Sequence, residues 1–271
     1  MNFDLTAPAS CLLAVSVLLF ISILLSSAQN IVNNEAFGEN GLMRWDIMRE
    51  AFKTTIFRHA FFSRLFDRRG FILLNLARVG MVVWCLAAHP FLPVPITLLF
   101  LLNCLLYLRT FPATTAVDQL NTIVLFCLML CSYFPSEGFI SLTLCFIALQ
   151  AIICYFCNGL MKILEPGWRN GVWLKDLLQT ESYSHPLIRR IVVKAPATLI
   201  SKAGWIVILW ELGFILTPFL PRAVLMGYLI FGVLFHLGVA LIMGLNTFVW
   251  TFLSTYPALL FLQSLVDRYI F

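Results

Sequence analysis

Residues 138–171, GFISLTLCFIALQAIICYFCNGLMKILEPGWRNG, contain the pattern that decides the fold. From Gly138 to Met161 there is no Asp, Glu, Lys, Arg or His. A helix of that length spans roughly 36 Å, enough to cross a hydrocarbon core of about 30 Å. The run closes on Lys162, followed by a Pro166-Gly167 turn, Trp168 and Gly171. A lysine at the end of a membrane helix ordinarily snorkels its ammonium to the lipid surface.

Similar apolar runs fall at 11–28, 71–89, 91–108, 119–135, 204–220, 222–244 and 247–265, giving about eight spans with that at 138–162. The chain is 61% hydrophobic and only 11% charged over 271 residues. Too few charges remain to coat a soluble domain, so the class is an all-α, polytopic transmembrane helix bundle in a lipid bilayer. No β-barrel alternation or internal repeat is visible. A net charge of +5 carries no nucleic-acid signature. The eight cysteines sit almost entirely within apolar runs and suggest small membrane-helix residues rather than a disulfide framework. Cys154-x-x-Cys157 closes a helix, whereas a redox pair normally opens one. The residues before the first run lack Lys and Arg, which favours a retained anchor over a cleaved signal.

Basic residues orient the spans. Residues 29–70 hold Arg44, Arg49, Lys53, Arg58, Arg64, Arg68 and Arg69, and residues 162–203 hold seven more, including Lys162 and Lys202. Arg109 is assigned to the short connection after the third span. With alternating spans these segments share one side, which the positive-inside rule makes cytoplasmic, with both termini outside. Segment 43–66 mixes cations with Trp45, Phe52, Phe57, Phe61 and Phe62, the pattern of an amphipathic helix on the inner leaflet. The organisation expected is therefore 1–66, an anchor with a basic surface helix, and 67–271, the transmembrane domain.

Ionisable groups within hydrocarbon cost a few kcal/mol each on insertion scales, so each needs a reason. Arg78, Glu211 and His236 sit about seven or eight residues from the inner ends of their spans, roughly 10–12 Å deep. Asp118 and Lys162 stand at inner boundaries. One cavity open to the cytoplasmic side would collect all five. Arg78 and Glu211 are assigned to a structural polar network, with Arg78 pairing Glu211 or Asp118. Lys162, among Phe156, Leu160 and Trp168, is the candidate base, since burial favours the neutral form of an amine. His236 is a second catalytic candidate. No metal-binding spacing, nucleophile elbow or phosphate loop is present.

Tyr155, Gly159, Lys162, Trp168 and Gly171 together resemble the Y-x-x-A-G-x-x-K…W-x-x-G signature of the HTTM superfamily, which includes the membrane domain of vitamin K-dependent γ-glutamyl carboxylases. Asp67–Gly80 is similar to the opening of that domain, with Arg78 as its arginine, and Asp118-Gln119 to the start of a later helix. Glu211 falls where many members carry an acid, and Phe235-His236 resembles a Phe-His helix near the domain's end. The resemblance implies that Lys162 is a base, that Trp168, Asp118 and Gln119 bind substrate, and that a reduced quinone such as vitamin K hydroquinone takes part. It also implies a bacterial plasma-membrane location. Departures are plain: Met161 replaces a second lysine, Gln119 stands near the place of a histidine, and the chain lacks the large lumenal domain of the animal enzymes. Three classes stay open. One is a membrane partner that matures a secreted peptide beside a second membrane subunit. Another is a carboxylase-like lyase with a quinol-oxygenating domain, and the last a non-catalytic scaffold.

Overall fold

The computed structural model describes residues 7–52, 55–88, 91–111, 113–181 and 183–270; Lys53, counted above among the cations, lies outside them. Eight helices among the described residues are long and apolar enough to cross a membrane, and no strand accompanies them. They are α1 (Pro8–Val32), α2 (Arg68–Ala88), α3 (Pro93–Thr110), α4 (Ala116–Tyr133), α5 (Glu137–Leu164), α6 (Ala197–Gly213), α7 (Arg222–Met243) and α8 (Asn246–Ile270). A 3₁₀ stretch, Phe214–Phe219, prolongs α6. The fold is all-α, and the eight apolar helices fit an integral membrane protein.

Local chemistry sets several ends. Pro93 occupies the first turn of α3, where its missing N–H costs nothing. Thr115 and Asp118 form a capping box that starts α4. Pro196 caps α6, which begins at Ala197, seven residues before the expected 204. Lys202 therefore lies in a helix rather than in a loop. The remainder of the 162–203 connection holds three short helices, Pro166–Arg169, Val172–Gln179 and Pro186–Lys194. Between the first two, Gly171 has φ +80°, and a Cβ there would lie 2.7 Å from the Ser201 nitrogen, so only glycine fits.

The chain forms two compact units, one from Leu12 to Thr143 and the other from Leu144 onward together with the first turn of α1. In the first unit α2 packs on α3 and α3 on α4. Side-chain hydrogen bonds tie α1 to α2 through Asn30 and Asn75 (3.1 Å) and to α4 through Ser22 and Asn121 (3.3 Å). In the second unit α7 packs on α8, and α8 on the 3₁₀ stretch.

Segment 43–66 does not form the expected continuous amphipathic helix. It breaks into short turns, Trp45–Met48, Arg49–Ala51, Thr55–Arg58 and Ala60–Leu65. The reason is Arg109, which is fully buried in the last turn of α3 and is not a loop cation. Its Nε donates to the Phe66 carbonyl (2.6 Å) and its Nη2 to the Met43 carbonyl (2.8 Å), drawing both ends of the segment together. Phe37, Trp45 and Phe71 surround the guanidinium at 5.0, 5.6 and 5.5 Å. Trp45 meets Phe66 edge-on and Phe37 stacks on Phe71, so these aromatics face one another instead of lipid. The same buried cluster includes Met48, Leu74 and Leu106.

Candidate functional site

Tyr155, Gly159 and Lys162 lie at i, i+4 and i+7 on α5, a single stripe of a 3.6-residue helix. At Gly159 α6 comes up against this stripe: a Cβ there would lie 2.8 Å from the Leu212 nitrogen and 3.0 Å from the Glu211 Cβ. The close approach lets Lys162 Nζ reach both carboxylate oxygens of Glu211, at 2.5 and 2.6 Å. The two side chains are 19% and 6% exposed. The turn Pro166–Arg169 brings the half-buried Trp168 ring to 5.5 Å from the same nitrogen. Lys162, Glu211 and Trp168 thus form one constellation. Removing one partner of a buried pair leaves the other charge unpaired and costs about 3–5 kcal/mol.

About 10 Å back along α5, the Tyr155 hydroxyl lies 2.7 Å from His236 Nε2 and 3.2 Å from the Tyr256 hydroxyl. Tyr155 stacks on Phe214 with centroids 3.7 Å apart, and His236 stacks on Phe252 at 4.5 Å. Tyr228 donates its hydroxyl to the Trp210 carbonyl. His236 Nδ1 is buried and has no hydrogen-bond partner among the described residues. Either neutral tautomer therefore leaves one ring nitrogen unsatisfied. His236 is joined to Tyr155 and not, by any hydrogen bond, to the Lys162–Glu211 pair.

The other expected residues belong to the first unit. Asp118 Oδ2 accepts from the Thr115 nitrogen (2.8 Å) and hydroxyl (2.9 Å), so its evident task is to cap α4; Gln119 is exposed. Arg78 is buried, but its partners are neutral. Nε donates to Ser27 (2.8 Å), Nη1 to Asn103 (3.1 Å), and Nη2 to Ser26 (3.0 Å) and Asn75 (3.4 Å). The anticipated pairing of Arg78 with Glu211 or Asp118 gives way to these oxygens, while Glu211 is taken by Lys162. Of the five ionisable groups, Arg78 and Asp118 accordingly belong to the unit from Leu12 to Thr143, and Lys162, Glu211 and His236 to the other.

Sequence alone assigns Tyr155 no role beyond its place in the signature, and assigns none to Tyr256 or the polar face of α1. The last had a visible signal: Ser22, Ser26 and Asn30 recur at i, i+4 and i+8 in an otherwise apolar helix.

The rings around His236 stack on one another, so the interior of this cluster is filled by the protein's own aromatics. No protein-family model, curated protein or solved structure matches the chain.

Proposed function

We propose that this chain is a bacterial plasma-membrane protein in which Lys162 and Glu211 form a proton-accepting pair, supporting the maturation of a secreted peptide beside a second membrane subunit. The HTTM resemblance motivates the substrate class. One observation supports the chemistry: the Lys162 ammonium is held by both oxygens of a buried carboxylate beside an indole face. In a low-dielectric site, passing one proton from the ammonium to Glu211 exchanges two charges for a neutral amine and a neutral acid. The amine then takes a proton from a weakly acidic substrate lying against Trp168. The substrate anion forms beside the restored ammonium, and Glu211 keeps the surplus proton until water removes it. His236, behind Tyr155, acts as a positioning residue in this scheme.

A passive scaffold is the second reading, and Gly159 favours it. Where α5 and α6 touch so closely, the same pair also staples two helices. Lys162→Arg separates the two readings, because guanidinium keeps the charge yet does not lose its proton in the accessible pH range. With the pair as base, Lys162→Arg lowers peptide maturation, or quinol-dependent oxygen uptake by membranes, by about 100-fold or more at normal protein level. With the pair as staple, the variant stays near wild type. Lys162→Met is a weaker test, since it strands Glu211 and lowers the folded protein by itself.

A further inference from the structure

Arg78 forms part of the wall of a half-enclosed cavity of about 210 Å³ in the unit from Leu12 to Thr143. Asn30, Asn103, Tyr107, Asp118 and Asn121 line it as well. A cavity of this polarity among four apolar helices is costly, because each buried polar group left without a partner loses about 1–3 kcal/mol. The protein meets part of that cost internally, through the bonds from Arg78 to Ser26, Ser27, Asn75 and Asn103. Two groups facing the cavity keep bonding capacity. Four of the five guanidinium donors are engaged, leaving one Nη1 hydrogen. Every oxygen that Arg78 does bond is neutral, so its charge has no anion in contact. On the opposite sign, Asp118 uses only Oδ2 for its cap, and Oδ1 has no hydrogen bond among the described residues.

We infer that this cavity binds a small zwitterion, its anionic oxygen on Arg78 and its ammonium on Asp118, with the asparagine amides satisfying what lies between. A simple anion would meet the Asp118 carboxylate in the same cavity, and a simple cation would meet Arg78. A dipolar ligand complements both. Size narrows the class. At about 30 Å³ per water the cavity holds roughly seven waters, room enough for a small zwitterion such as a phosphoethanolamine group. That group reaches a membrane protein either as a phosphatidylethanolamine headgroup or as the free molecule. This inference is independent of the Lys162–Glu211 reading, since the two sites share no residue.

The test uses the full chain, delipidated in detergent and then reconstituted in phosphatidylcholine nanodiscs. O-phosphoethanolamine, inorganic phosphate and ethanolamine are titrated separately, with thermal unfolding as the readout. A second arm measures, by native mass spectrometry, retention of phosphatidylethanolamine against phosphatidylglycerol. Binding of phosphoethanolamine at least 10-fold tighter than of phosphate or ethanolamine supports the site and identifies a free ligand. Preferential retention of phosphatidylethanolamine supports it and identifies a lipid. Asp118→Asn keeps an oxygen for the α4 cap while removing the charge. It should weaken phosphoethanolamine by 10-fold or more and leave phosphate binding equal or tighter. Equal response to all three solutes with no lipid preference, binding unaffected by Asp118→Asn, or no binding in either arm each overturns the inference. Because Arg78→Gln risks misfolding by disrupting four hydrogen bonds, the conclusion rests on Asp118→Asn.

Discussion

Lys162, Arg109 and Arg78 are three cations in apolar helices, and each is stabilised by different chemistry. Lys162 has a carboxylate, Arg109 has two main-chain carbonyls and three ring faces, and Arg78 has four neutral side-chain oxygens. The planar five-donor fork explains why both of the latter are arginines: an ammonium cannot reach divergent acceptors in one plane. Arg109→Leu should therefore strand the Phe66 and Met43 carbonyls and forfeit the ring contacts. By about 1.5–3 kcal/mol for each of the two hydrogen bonds to a charged donor, the loss is roughly 3–6 kcal/mol. Limited proteolysis checks it directly, with cleavage expected to appear within residues 33–66 while α5 to α8 stay protected. An unchanged cleavage pattern would mean that the aromatic cluster holds this segment without the guanidinium.

At the level of elements, what could be read from sequence followed one rule. Features fixed by local periodicity were visible, and features fixed by a distant partner were not. The apolar run 138–161 gave α5, and a helix long enough to span overlaps each of the eight apolar runs, although α6 begins seven residues early. The triplet Tyr155, Gly159, Lys162 shares a helix face by spacing alone, but its partner Glu211 lies 49 residues on. Only depth hinted at their meeting, and depth also placed Arg78 at that level, where neutral oxygens of α1 to α3 hold it instead. The surface helix proposed for 43–66 had the composition of a membrane-lying amphipath. Arg109 overrode it by capturing carbonyls at both ends, and an arginine at the end of a span gives no sign that it turns inward. The span expected at 204–220 begins instead at Ala197, since a helix end tolerates Lys202 when its stem lies along apolar surface and its charge reaches water.

For the whole molecule, two compact units each carry a polar cluster within an apolar bundle, one dominated by amides and hydroxyls and the other by an ion pair among aromatics. If α5 spans a bilayer, its flanks lie on opposite sides. With the charge distribution above, a cysteine placed at Glu137 in a cysteine-free background is expected to react with an impermeant maleimide from outside. One at Arg189 should react only after permeabilisation. Labelling of both from one side would contradict α5 as a crossing helix. Whether the Lys162–Glu211 pair serves the fold of its unit or chemistry in it is the central question, and exchanging the two residues answers it most directly. The double variant Lys162→Glu/Glu211→Lys retains both charges at contact distance but moves the amine from beside Trp168 on α5 to α6. The measurement is maturation activity per folded protein in cells lacking the native gene. The proton-accepting account predicts folded protein near the wild-type amount with activity down by about 100-fold or more; wild-type activity from the exchanged pair would contradict it.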